Sequence, residues 1–277
     1  MSARVVFGID DGYVDPLCVT LVSLALCANL PPGSDVRVLH AGLAAESQTR
    51  LARVADAYGL ELGLVRVDGA DARLPVTKWI SAAAYLRLAL DLVSEDREFI
   101  VYLDSDLVAL DDLSRLFRVP DGVVAAVRDV GNPTFGAGAG VPGFALLGIS
   151  PEREYFNSGV LVVHCERWRS EDVARRCAEF LAESPQHVAF WDQDALNATL
   201  ADDEWERLPP EYNAVTISLY RDGYRGSAVM PLEEALRVEQ NARILHFAGP
   251  FKPWARGYPA GTARDRWMRF ADLVPGL

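Results

Sequence analysis

Short apolar runs, mostly β-branched, alternate along this chain with stretches of helical hydrophobic periodicity, and that alternation limits the fold more than any other feature. Residues 5–9, 36–39, 62–67, 99–103, 123–127 and 159–163 each read as a buried strand, being apolar and bounded by Gly, Asp or Pro. Between them lie helices. Asp15 and Pro16 place an N-cap and a first-turn proline before a helix over 17–28, which Pro31-Pro32 ends. The stretch 46–58 is amphipathic and stops at Gly59, a natural left-handed cap. Ser81 is placed to cap a helix over 82–92, and Ser170 one over 171–181. Strand and helix in this order predict an α/β fold, Rossmann-like, with a mainly parallel sheet flanked by helices and ligands at the carboxyl ends of its strands.

The 277 residues, half of them hydrophobic and 24% charged, suit one body with ample core. Against 39 acidic residues stand 27 Lys and Arg, a net charge of −12 with no dense basic block, which excludes a nucleic-acid surface and a polybasic membrane patch. The longest apolar stretch, 17–30, contains Thr20, Ser23 and Asn29 and falls short of the roughly 20 residues that a transmembrane helix needs. The N-terminal residues run straight into the first strand with no room for a secretory h-region, so a cytoplasmic chain is expected. Cys18, Cys27, Cys165 and Cys177 lie in apolar segments without CxxC spacing and read as buried thiols with no functional role.

The strand at 99–103 delivers the chain to Asp104-Ser105-Asp106. Side chains two apart on a strand face the same way, so the pair can converge on one divalent cation, Mg2+ or Mn2+, that would hold a diphosphate. The alternative is a solvated turn. The first strand ends at Asp10-Asp11-Gly12-Tyr13, where an acid can accept hydrogen bonds from a ribose or a base edge and Tyr13 offers a stacking face. No GxGxxG follows, which disfavours a dinucleotide oxidoreductase. Near the C-terminus His246 precedes Gly249-Pro250-Phe251-Lys252-Pro253, where a Gly-Pro turn lets backbone approach an anion while Lys252 supplies charge. Imidazole in the same pocket favours Mn2+. Asn157 opens a strand, and Asp192, Gln193 and Asp194 open a helix; these groups suit sugar hydroxyls, although Asp192 or Asp194 can equally cap the helix. The segment 129–148 holds six glycines and two prolines and reads as a lid over the site or as a disordered excursion.

Taken in order, Asp10-Asp11, Tyr85-Leu86-Arg87-Leu88, Leu103-Asp104-Ser105-Asp106, Phe156-Asn157-Ser158-Gly159, Asp192-Gln193-Asp194 and the run from His246 to Trp254 resemble the family 8 glycosyltransferases. This is the retaining group that includes glycogenin and bacterial lipopolysaccharide galactosyl- and glucosyltransferases. The likeness spans about residues 5–254 and implies a single GT-A domain over 1–277. It also implies a metal-dependent transfer of a hexose, galactose or glucose, from a UDP-sugar to a hydroxyl of a saccharide, a lipid-linked glycan or a small molecule. Carried over by position, Asp104, Asp106 and His246 would ligate Mn2+, with Mg2+ the second choice. Asp10, Asp11, Tyr13, Arg87, Asp104, Ser105, Asn157, Asp192, Gly249 and Lys252 would line the donor, and Gln193, Asp194 and Lys252 would act in catalysis. One departure is Gly12, where the family commonly has asparagine.

Retention needs either a covalent intermediate or attack from the leaving-group face. Gln193 is a poor nucleophile and Asp194 a better one, but same-face attack, with the departing phosphate oxygen taking the acceptor's proton, is the expected route. Two rivals stand beside this reading: a sugar-nucleotide sensor without turnover, and a haloacid-dehalogenase-like phosphotransferase using the first Asp of the DxD as nucleophile. At the C-terminus, about 262–273 reads as an amphipathic helix packed on the domain, the other possibility being a lipid head-group contact that would make the chain peripheral to a membrane.

Overall fold

Val5 and Phe7 turn to one face of the first strand and Val6 to the other, and all three are buried, so this strand must lie between two layers. The structure, a computed structural model, describes residues 2–68, 82–220 and 229–277. Seven strands, β1 (Arg4–Gly8), β2 (Asp35–His40), β3 (Glu61–Arg66), β4 (Phe99–Leu103), β6 (Val124–Arg128), β7 (Phe156–His164) and β8 (Trp205–Arg207), form one sheet in the order β3-β2-β1-β4-β7-β6-β8. Only β7 runs against its neighbours; the rest are parallel. A second sheet joins β5 (Leu107–Ala109), β10 (Ile244–His246) and β9 (Ala214–Val215) in that order. The mainly parallel α/β sheet flanked by helices is therefore as expected.

One face of the large sheet is covered by α1 (Val14–Cys27), α2 (Ala45–Ala57), the small sheet and α7 (Thr262–Ala271). The other is covered by 3-10 turns over Ala82–Val93 and by α3 (Cys165–Ser170), α4 (Val173–Glu183) and α5 (Trp191–Thr199). A last helix, α6 (Leu232–Gln240), places Ala235 against Ile217 and Met230. The two hydroxyls inside apolar α1 have a structural task. Thr20 Oγ1 lies 2.9 Å from Ser105 O and 2.7 Å from Leu107 O, and Ser23 Oγ accepts from Ala109 N at 2.9 Å. α1 is thereby pinned to the strand that follows the DxD.

Three local expectations are corrected. Asp15 is no N-cap: α1 begins one residue earlier, and Asp15 pairs with Arg50 at 2.5 Å. Ser170 ends α3 instead of capping the next helix, because Cys165 and Trp168 bury themselves beside Val173 and the chain must turn at Asp172, φ +51°, before α4 starts. The 82–92 helix is wound as 3-10 turns with a break at Ala89. Its Tyr85, Leu86, Leu88 and Leu90 all enter the core, more than one stripe of an α-helix provides. Ser81 lies outside the described residues. Gly59 does follow α2 with φ +66°. Burial pushes the Cys165 and Cys177 thiols up to about 12, so both stay protonated.

Helix α7 packs on the domain: Trp267 and Phe270 are buried, and Trp267 meets Phe247 edge-on at 5.3 Å. Among the described residues no helix is long and apolar enough to cross a membrane. Phe270→Ala should lower the unfolding free energy by about 3–5 kcal/mol in urea titration; a loss below about 1 kcal/mol would show that α7 is a dispensable appendage.

Candidate active site

In a mainly parallel sheet the strand ends gather their side chains on one edge. Here the carboxyl ends of β1, β4 and β6 lead to Asp10, Asp104 and Asp129, and antiparallel β7 brings its amino end, with Asn157, to the same edge. Residues 104–106 link β4 in the large sheet to β5 in the small one. Because β10 pairs antiparallel with β5 in the register His246 to Leu107, a histidine 140 positions downstream lands beside Asp106. Phe247 N donates to Asp106 O at 2.9 Å and Asp104 N to Gly159 O at 2.8 Å, which fixes both ends of the turn.

Asp104, Asp106 and His246 each offer one ligand atom, and these atoms lie within 4.8 Å of one another. His246 Nε2 is 3.3 Å from Asp106 Oδ1 and 3.7 Å from Asp104 Oδ2. The second oxygen of each carboxylate is anchored elsewhere: Asp104 Oδ1 by Arg87 and by Tyr102 OH at 3.2 Å, Asp106 Oδ2 by Lys252. Two carboxylate oxygens and an imidazole nitrogen facing one point suit a divalent cation. Gly159 makes the cluster possible, since a Cβ there would sit 2.3 Å from His246 Cε1 and 2.9 Å from Asp104 Oδ2. Burial alone would raise the Asp106 carboxyl, but Lys252 and His246 hold it well below the usual range. Burial likewise opposes the Lys252 charge, yet Asp106 more than offsets it and the ammonium is stabilised. Lys252 Nζ also donates to Phe247 O at 2.8 Å.

Arg87 is buried at the centre of the site and joins the Asp104, Asp106 and His246 cluster to Asp192 and Ser158. Its guanidinium bonds Asp104, Asp192 and Ser158 Oγ, and stacks over Tyr102 at 4.7 Å. Burial disfavours its charge, but the two carboxylates raise its pKa well above normal. Burial also pushes the Asp192 carboxyl up to about 6 against the pull of Arg87. Gln193 is tied at both ends of its amide: Oε1 accepts from Ser158 N at 3.0 Å, and Nε2 lies 3.3 Å from both Asp129 Oδ2 and Tyr155 OH.

Asp194, the nucleophile candidate, is 0% exposed with both oxygens occupied. Oδ1 accepts from Tyr155 OH at 2.6 Å and Val141 N at 3.0 Å, and Oδ2 from the backbone N–H groups of Ala189 and Phe190. It is a clasp with no free lone pair aimed at a substrate. It holds the 129–148 segment, where Val141 sits at φ +46° and packs with Phe135 and Tyr155. That segment is an ordered loop, not a disordered excursion.

The remaining candidates spread outward. Asp10 Oδ1 accepts from Gly12 N at 3.0 Å, shaping the turn after β1. Asp11 Oδ1 accepts from Ala44 N and Ser47 Oγ, so one of its oxygens anchors α2. Tyr13 meets Trp254 edge-on at 6.2 Å, Ser105 is buried against α1, and Gly249 adopts φ +91° ahead of Lys252. Three residues escaped the sequence analysis: Asp129, Tyr155 and Asn213. Asp129 was only the start of a glycine-rich stretch, and nothing in Glu211-Tyr212-Asn213 marks an amide that ends up 2.8 Å from His246 Nδ1.

Asp194→Asn should cost at least about 2 kcal/mol in urea unfolding, because its amide would turn a donor toward N–H or O–H groups that need an acceptor. A variant of native stability that has lost only activity would restore Asp194 as a reacting group.

The glycosyl transferase family 8 sequence model matches residues 4–257. The chain is 28% identical over 254 residues to general stress protein A of Bacillus subtilis, covering 88% of this chain and 85% of that protein. It is 27% identical over 255 residues to lipopolysaccharide 1,2-glucosyltransferase of Escherichia coli K12, covering 91% and 72%. Its fold matches the galactosyltransferase LgtC, solved with donor and acceptor sugar analogues, at a TM-score of 0.79 and 25% identity over 99% of this chain and 97% of that one. With the family match covering nearly the whole sequence and the fold agreeing, this chain belongs to glycosyl transferase family 8.

Proposed function

We propose that the site transfers a hexose from a UDP-sugar to an acceptor hydroxyl with retention at the anomeric carbon, using Mn2+ or Mg2+ held by Asp104, Asp106 and His246. The observation that carries this reading is the convergence of those three ligand atoms within 4.8 Å, with Lys252 on Asp106, at the ligand-binding edge of the sheet. Relatives named as lipopolysaccharide glucosyl- and galactosyltransferases support the hexose. The phosphotransferase alternative falls with the family assignment.

When bound, the ion supplies a Lewis acid for the diphosphate oxygens. Lys252 adds an ammonium where negative charge grows as the anomeric C–O bond breaks, so the leaving UDP needs no protonated acid. Gly249 lets the backbone approach the diphosphate closely. Asp10, Asp11, Tyr13 and Ser105 serve the nucleotide end, and Arg87, Asn157 and Asp192 orient the sugar. With Asp194 occupied by four donors and Gln193 tied to Ser158 N, no side chain among these is placed as a nucleophile. The acceptor oxygen then attacks from the leaving-group face, the C–O electron pair stays on UDP, and the departing phosphate oxygen takes the acceptor's proton.

UDP release from a panel of UDP-sugars, with Mn2+, Mg2+ or EDTA, tests the reading. One donor should be turned over only with metal, and Asp106→Asn should abolish that turnover without unfolding the protein. UDP binding without release under every condition would mean a sensor or a strictly acceptor-dependent enzyme. Lys252→Ala should chiefly lower kcat, since the charge it meets grows in the transition state; a change confined to KM would refute its role.

Acid should also slow donor use. The Asp192 carboxyl, raised by burial to about 6, is charged above that pH and neutral below it, and only the charged form pairs with Arg87. Hence kcat/KM should fall as pH drops through about 6, and Asp192→Asn should remove that limb from the profile. An unchanged limb in the variant would assign it to another group.

A further inference from the structure

His246 is held from behind by a buried chain of side-chain amides. Nδ1 lies 2.8 Å from Asn213 Oδ1; Asn213 Nδ2 donates to Asn157 Oδ1 at 2.8 Å; Asn157 Nδ2 donates to Asp129 Oδ2 at 2.8 Å. All four residues are less than a tenth exposed, so water does not substitute for any link. The direction of this chain is determined. Asp129 receives Gly131 N at 2.8 Å and Asn132 N at 2.7 Å on its other oxygen and acts only as an acceptor, so the Asn157 atom facing it is the NH2 group. Gly159 N donates to Asn157 Oδ1 at 3.0 Å and sets the same orientation independently. Asn157 then presents its carbonyl to Asn213, which must answer with NH2 and turn its own carbonyl to His246.

We infer that Asn213 is the positioning residue of the proposed metal site: it holds a proton on Nδ1, with Asp129 setting the sense of the amide chain, and so leaves Nε2 as the ring nitrogen that faces Asp104 and Asp106 and would ligate a cation. A ligating histidine needs that tautomer, and partners of this kind change metal affinity by about 10- to 100-fold. The inference deepens the proposed metal-dependent reading and rests on it where affinity is concerned; the tautomer itself does not.

Two measurements separate the parts. Imidazole 15N NMR of the metal-free protein should show His246 protonated on Nδ1, and this preference should weaken in Asn213→Ala. Calorimetric titration with Mn2+ alone should show about 10- to 100-fold weaker binding in Asn213→Ala. Asn213→Asp fills the same volume and keeps the acceptor, so it should retain the Nδ1–H tautomer and bind more tightly than the alanine variant. A native His246 without a proton on Nδ1 overturns the inference, as does Mn2+ binding by Asn213→Ala as tight as native. A native protein that binds no Mn2+ sinks the metal reading of the site, while the NMR result still decides the tautomer.

Discussion

Asp106 and Asp192 are buried and Asp104 is half-buried at one edge of a sheet, where an unpaired buried carboxylate would cost several kcal/mol and neighbouring negative charges repel. Two cations make the arrangement stable. Arg87 lies between Asp104 and Asp192, and Lys252 sits on Asp106. The fork of a guanidinium suits the first position because it reaches two carboxylates and a hydroxyl at once, which a single ammonium does not do with fixed geometry. Asp104 and Asp106 thus each keep one oxygen anchored and turn the other to the cluster with His246, an arrangement held by the protein's own groups.

The surrounding fold serves that balance. α1 is apolar because it is buried against the sheet, yet Thr20 and Ser23 interrupt it where their hydroxyls hold the strand after the DxD. β7 runs against its neighbours, and this reversal puts Asn157, Ser158 and Gly159 at the carboxyl edge of parallel strands. A strand in the parallel sense would have sent them to the opposite edge. The glycine-rich segment belongs to the same arrangement: Asp194 holds Val141 in it and Asp129 turns its start, so the loop is tied to the residues gathered at this edge.

Family 8 membership and this geometry lead to one chemical logic. In the proposed reaction a leaving diphosphate needs charge stabilisation more than a proton, and the site holds the cations Arg87 and Lys252 beside the Asp104, Asp106 and His246 cluster. The one carboxylate that looked like a free nucleophile is saturated with donors. Asp192 is different in kind, a buried acid whose charge depends on Arg87, and it is joined to Asp104 through that one guanidinium.

The sequence by itself determined six of the seven strands of the large sheet, because a buried strand is apolar along its length, but not β5, β8, β9 or β10, whose two or three residues are too short to show a pattern; it also determined the chemistry at strand ends, because acids and amides there are out of place in a core. The motifs at Asp104-Ser105-Asp106 and from His246 to Lys252 were legible for that reason. Helix boundaries were less so: Ser170 and Asp15 satisfy capping rules locally, but the burial of Trp168 and the ion pair with Arg50 overrode them. Only the tertiary structure decided that both oxygens of Asp194 are occupied by donors, and that Asp129, Asn157 and Asn213 stand in line behind His246. Those assignments depend on which donors surround a group, and donors from residues 28, 53 or 56 positions away leave no periodicity or spacing for a sequence to display.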